Sequence, residues 1–90
     1  MNKRLQFYIK GNVQGVWFRK SCKEEAERLS LSGFVRNEAN GDVYCEAEGD
    51  IEDLMQFAEW CKTGPQLARV DSVKMIEGIL ANTNGFEITR

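Results

Sequence analysis

Arg19 is the side chain in this sequence best placed to hold an anion. It follows a stretch bounded by glycines, Gly11-Asn12-Val13-Gln14-Gly15-Val16-Trp17-Phe18. A guanidinium offers a planar fork of donors that matches phosphate oxygens. The glycines allow a tight turn, because a residue without a Cβ adopts positive φ at little cost. An alternating apolar run leads into the stretch and an amphipathic run leads out. The turn therefore delivers the chain to a helix start, where backbone N–H groups gather at the positive end of the helix dipole. Such a place binds phosphate. A cation in the first helical turn is mildly unfavourable unless an anion is present, which argues against a merely solvated Arg19. Asn37 is the second candidate, since its amide both donates and accepts and can hold a water molecule in one orientation. On sequence alone an Asx turn into a following hairpin is the stronger reading of Asn37.

What is missing narrows the chemistry. The chain has no histidine, which removes His-based triads, phosphohistidine intermediates and most zinc hydrolase sites. The glycine stretch is not a Walker A loop, because no Lys-Ser or Lys-Thr follows its second glycine. It is not a dinucleotide fingerprint either, since the glycine spacing is wrong and the strand pattern is antiparallel. Cys22, Cys45 and Cys61 are odd in number, far apart in sequence and form no CxxC pair. Each falls on an apolar face, so buried reduced thiols are expected.

Ninety residues make one small domain, expected to span 1–90. The composition, 42% hydrophobic and 29% charged, is that of an ordinary globular protein. A net charge of −2 disfavours a general nucleic-acid binder but leaves room for one local basic pocket. No apolar run approaches the ~18–20 residues of a membrane span, and no signal-peptide core follows Met1, so a cytoplasmic protein is expected. No long apolar surface is evident, and a monomer is expected.

The elements that position the two candidates are legible from periodicity. Leu5, Phe7 and Ile9 alternate with polar residues in a first strand. Phe18, Cys22, Ala26 and Leu29 form one helical face between Phe18 and Ser30. Lys23 with Glu27 and Glu24 with Arg28 are expected i,i+4 pairs. Phe34 to Asn37 reads as a strand, Asn40-Gly41 as a hairpin turn with both residues at positive φ, and Val43, Cys45 and Ala47 as the returning strand. Glu46 and Glu48 are expected on an exposed strand face, with Tyr44 as surface cover. Asp50 caps a second helix, boxed with Asp53, whose stripe is Ile51, Leu54, Ala58 and Cys61 and which ends at Gly64-Pro65. Trp60 and Phe57 are expected in the core or on the helix flank. A strand near residues 68–77 has no clean inward set, and Phe86 with Ile88 makes a last short strand.

The order is that of a ferredoxin-like α+β sandwich, βαββαβ, with two helices on one face of a four- or five-stranded antiparallel sheet. The first strand is expected to be central, with the strand after the first helix antiparallel to it and Asn37 at its far end, facing the glycine stretch. This fold hosts many functions and decides none of them.

Gly11 to Arg19 resembles the G-x-V-Q-G-V-x-F-R signature of acylphosphatases. Gly33-Phe34-Val35-Arg36-Asn37 with Gly41-Asp42-Val43 resembles the second motif of that family, Gly64-Pro65 with Ala68-Arg69-Val70 is similar to its G-P-x-x-A-x-V segment, and Phe86-Glu87-Ile88 fits its close. The resemblance spans essentially the whole chain and reverses the order of the two readings of Asn37. It implies hydrolysis of a carboxyl–phosphate anhydride to carboxylate and inorganic phosphate. It implies that Arg19 binds the phosphoryl group, that the backbone N–H groups of Gln14, Gly15, Val16, Trp17, Phe18 and Arg19 surround it, and that Asn37 positions the attacking water. It implies no metal, no cofactor and no covalent phosphoenzyme. The leaving carboxylate, whose acid has a pKa of ~4, needs no proton to depart, which accords with a chain lacking imidazole. Trp17 stands at a variable position, on the acyl side of the mouth, Phe34 stands where many relatives have Trp, and Gln66 where some have a second Pro.

Two other classes compete. One is a non-catalytic binding module, since such domains also occur inside larger proteins that handle carbamoyl phosphate; a chain that ends at both termini of the domain favours the free enzyme. The other is an RNA-binding domain, because Gly33-Phe34-Val35 weakly resembles an RNP motif, but the other basic and aromatic positions are absent.

Overall fold

The alternating and helical patterns form the elements they predict. In the computed structural model, which describes residues 1–90, these are β1 (Asn2–Asn12), α1 (Phe18–Arg28), β2 (Ser32–Asn37), β3 (Val43–Asp50), α2 (Ile51–Thr63), β4 (Arg69–Gly78) and β5 (Phe86–Ile88). The strands lie in the order β4-β1-β3-β2-β5. Leu5, Phe7 and Ile9 pair with Ala47, Cys45 and Val43 across β1 and β3 and face the helices. Cys22 and Ala26 of α1 and Leu54, Phe57 and Cys61 of α2 complete the same buried cluster. Phe57 meets Phe7 edge to face at 5.4 Å, and Trp60 lies 5.4 Å from Phe18. All three cysteines are free and buried. Burial pushes the Cys22, Cys45 and Cys61 thiols above their ordinary range, which disfavours the reactive thiolate form.

Four strands pair antiparallel as expected, but β5 runs parallel to β2, so the sheet is mixed. The expected direction of β2 is also corrected. It pairs antiparallel with β3, which pairs antiparallel with β1, so β2 runs parallel to β1 with β3 between them. This is the βαβ crossover geometry, in which a helix returns the chain to start a second parallel strand. It has a direct consequence for function, because the C-terminal ends of β1 and β2 lie at one edge of the sheet. Asn37 thereby reaches the loop that opens α1.

The ambiguous pattern of β4 has a physical cause. Lys10 pairs with Ser72 but Gly11 pairs with Val70, leaving Asp71 as an extra residue in a bulge. Val70 and Val73, three apart, both pack against the core, and period two is lost. Gly11 makes the bulge possible. Its φ is 139°, and a Cβ there would overlap the carbonyl oxygen of Arg69. The hairpin turn also differs from expectation. It is a longer loop, closed by Glu38 N–H to Asp42 C=O at 2.8 Å. Only Gly41 has positive φ, while the Asn40 side-chain oxygen accepts from Asp42 N–H, an Asx turn.

Asp50 caps α2 by accepting from Glu52 N–H at 3.0 Å, with Glu52 and Asp53 acidic in the first turn. On α1 the Lys23–Glu27 pair forms, whereas Arg28 chooses Glu25, three residues back, over Glu24.

The sheet face away from the helices is not simply exposed. Arg4, Glu48 and Tyr44 are each less than a tenth accessible. Arg4 donates to Glu46 at 2.7 Å and to Glu48 at 3.2 Å. Glu48 also accepts from Ala81 N–H at 2.7 Å. That bond and the Arg4 contact to Thr83 hold the segment after β4 as it crosses to the far edge, where β5 begins. The Ala81 amide first, and then Arg4, keep the Glu48 carboxyl below its ordinary range.

Two predictions follow from this packing. Gly11→Ala should cost about 3 kcal/mol or more, because a Cβ at positive φ meets backbone, whereas Gly15→Ala, where the space is open, should cost about 1 kcal/mol; urea midpoints at equal slope read the difference. Glu48→Gln should cost about 2 kcal/mol at pH 7, since buried Arg4 loses one of its carboxylates. A carboxyl depressed in the folded state adds stability above its unfolded pKa of ~4.3 and loses it as pH falls through the folded value. The parent's stability should therefore fall more steeply below about pH 4.3 than that of Glu48→Gln, and parallel curves would remove this role.

Candidate active site

The loop between β1 and α1 is anchored at both ends by buried side chains, Val13 and Phe18, each about 1% accessible. Gly64, at the end of α2, packs directly on the Phe18 ring, so the segment after α2 supports the base of α1. Between the anchors the backbone is turned by Gly15 at φ 73° and Trp17 at φ 65°. Left-handed φ at a bulky aromatic is unusual and costs on the order of 1–3 kcal/mol. Trp17 occupies the N-cap position of α1 but offers no side-chain cap, and the first turn has no acidic residue. None of the backbone N–H groups from Gln14 to Arg19 donates to another group of the protein. A run of unpaired donors at a helix N-terminus is electropositive and concave.

Gln14 plays a second part that its sequence context does not reveal. Its side-chain amide donates to the carbonyls of Glu38 at 2.8 Å and Asp42 at 2.9 Å. Both acceptors belong to the β2–β3 hairpin, so the clamp fixes the loop against the end of β2. Nothing local marks Gln14 for this, because its partners are 24 and 28 residues away.

Arg19 and Asn37 line one hollow of about 350 Å³, together with Val13, Gly15, Trp17, Phe18, Lys20 and Ile88. Arg19 is half-buried and pairs with no carboxylate. The Asn37 oxygen is buried without a hydrogen-bond partner. A buried orphan acceptor costs about 1–3 kcal/mol and is rare in folded chains. Of the six loop residues expected to supply N–H donors, Gly15, Trp17, Phe18 and Arg19 line this hollow with Asn37, whereas Gln14 and Val16 are not part of its lining. Lys20 and Ile88 join them without having been expected there. Ile88 arrives because β5 lies parallel to β2. Lys20 was readable only as a polar residue on the outer side of α1.

A larger hollow of about 510 Å³ lies at the opposite end of the sheet, against Ser30, Ser32, Glu48, Asn82, Thr83 and Gly85. No Lys or Arg lines it, and its buried carboxylate is already bonded to Arg4 and Ala81, so it does not suit phosphate. No group of three or more His, Cys, Asp or Glu side chains is arranged to hold a metal ion.

The hollow can hold a tetrahedral anion in backbone donors, fix it with a guanidinium and present an amide oxygen to a water beside it. Comparison with known proteins identifies the family. The acylphosphatase family model matches residues 5–88. An acylphosphatase of Rubrobacter xylanophilus is 42% identical over 87 residues, covering 96% of this chain and 79% of that one. A solved acylphosphatase from Coxiella burnetii superimposes with a TM-score of 0.95 at 34% identity, over 98% of this chain and 93% of that one. One from Bacillus subtilis gives 0.95 at 32%, over 100% of both. The chain belongs to the acylphosphatase family, enzymes that hydrolyse acyl phosphates.

Proposed function

We propose that the phosphoryl group of the acyl phosphate sits in the N–H groups of Gln14 to Arg19, that the Arg19 guanidinium binds its oxygens in a fork, and that Asn37 holds the attacking water. The observation that carries this reading is the orphaned Asn37 oxygen in the hollow that Arg19 lines. A water donating one proton to that oxygen has its lone pair free to attack phosphorus. The new P–O bond forms as the bond from phosphorus to the carboxyl oxygen breaks. The carboxylate leaves with the electron pair and needs no proton. The proton of the attacking water passes to a phosphoryl oxygen, giving dihydrogen phosphate. Charge spread over the phosphoryl oxygens in the transition state is met by donors already in place, so positioning and electrostatics do the catalysis. The same reading takes residues 1–90 as one domain acting as a monomer in the cytoplasm, with inorganic phosphate as product and no nucleic-acid partner. No helix is long and apolar enough to cross a membrane.

The test is phosphate release from benzoyl phosphate, with and without chelator. Arg19→Lys should lose about 100-fold or more in kcat, since a point charge does not replace the fork. Asn37→Ala should lose about 100-fold, yet its urea midpoint should hold or rise, because it deletes an unsatisfied buried oxygen. Near-parent turnover in Arg19→Lys, or a strongly destabilised Asn37→Ala, would sink the assignment.

A further inference from the structure

Two adjacent cations at one hollow are more than a single phosphoryl group, already surrounded by N–H donors, requires. Most Lys and Arg side chains of this chain are matched by carboxylates, as Lys3 is by Glu77, Lys10 by Asp42 and Lys23 by Glu27. Arg28, Arg36, Lys62 and Arg69 are matched too, each by an acid two or three residues away. Arg19, Lys20, Lys74 and Arg90 have no such partner. Of these, Arg19 and Lys20 line the same hollow, and no Asp or Glu lines it with them.

Lys20 is also placed. Its ammonium lies 5.5 Å from the centroid of the Trp17 ring, a cation–π contact worth about 0.5–1 kcal/mol at an exposed site. The indole is 68% accessible, and the left-handed backbone at Trp17 projects it at the edge of the hollow instead of into the core. Ile88, 42% accessible, also lines this hollow. With the phosphoryl group held by the loop amides and Arg19, the rest of the substrate lies among Trp17, Ile88 and Lys20. The surface it meets there is apolar with one positive charge.

We infer that Lys20 sets acyl-group specificity. It receives negative charge carried by the acyl part, so the enzyme favours acyl phosphates that bear a second anionic group, a carboxylate or a phosphate, over those with a neutral acyl group. This rests on the placement of the phosphoryl group given above. Lys20 is not a catalytic residue in this scheme, since it contacts the substrate away from the reacting atoms.

The measurement is the ratio of kcat/KM for succinyl phosphate to that for acetyl phosphate. Lys20→Met should lower this ratio about fivefold, the scale of an exposed charge pair, and Lys20→Glu about tenfold or more. Lys20→Arg should keep the ratio within about twofold of the parent, since the charge is conserved. Added salt should lower the parent's ratio and leave that of Lys20→Met flat. Lys20 is exposed at the rim of the hollow and lies outside the buried core, so these variants fold. A ratio unchanged in both Lys20→Met and Lys20→Glu overturns the inference, and an equal loss on both substrates assigns Lys20 to the phosphoryl group instead. Arg19→Lys run in parallel separates the two readings. Loss of both substrates there upholds the phosphoryl site whatever Lys20 does, while retained activity removes that site without bearing on the ratio.

Discussion

Two hydrogen bonds from the Gln14 side-chain amide, to the carbonyls of Glu38 and Asp42, join the halves of this site. One half is the loop that ends β1 and begins α1. The other is the hairpin that ends β2 and carries Asn37. Each half is built by local rules and neither contains the chemistry alone. The loop offers unpaired N–H donors and a guanidinium, and Asn37 offers an unpaired acceptor. The amide suits the joint because it brings two donors on one rigid plane. It bonds to main chain, so the joint does not depend on any hairpin side chain. Positioning of reacting groups is where most of the rate in such a reaction arises, and a shift of about an ångström between halves is costly.

The same edge of the molecule concentrates unmet polar groups. Unpaired N–H groups of Gly15, Trp17, Phe18 and Arg19, the unpaired guanidinium and the orphan Asn37 oxygen lie around one hollow. The left-handed Trp17 adds backbone strain to it. Each feature is destabilising while it stays unpaired or strained, a notable cost for a 90-residue core. Active sites accumulate such groups because donors aimed beforehand at developing charge need not reorganise during reaction. A chain of net charge −2 achieves this by excluding carboxylates from the hollow, with no need of an overall positive charge.

Local signals in the sequence carried the element order, the two helical faces, the caps at Asp50 and Gly64 and both candidate residues. The motif resemblance, more than any physical pattern, raised Asn37 above a turn former. What the sequence did not disclose was set by long-range pairing. The direction of β2 depends on the insertion of β3 between it and β1, which no local pattern encodes. The bulge opposite Gly11 hid the inward set of β4, because Val70 and Val73 share a face only once Asp71 is skipped. Glu48 and Arg4 read as surface charges, since alternation places them on the solvent side of their strands. They are buried because the segment before β5 folds back over them. Lys20 and Ile88 escaped notice for the same reason, as their shared hollow exists only after β5 has docked parallel to β2.

These facts connect the two ends of the sheet. At one end, polar groups are fully satisfied: Arg4 bridges two carboxylates, and Glu48 takes the Ala81 amide as well. That network holds the segment that turns the chain from the β4 edge to the β2 edge. The turn brings β5 alongside β2, and β5 then carries Ile88 to the hollow at the other end. A buried ion network is weak evidence for net stability, since an apolar replacement often serves as well. Its use here is directional. An apolar patch at Arg4 and Glu48 would cover the same surface without specifying which backbone amide docks on it, whereas a carboxylate oxygen bonded to Ala81 N–H fixes the path of the returning segment. The wall of the hollow that Arg19 and Asn37 line is thus positioned from the far end of the fold.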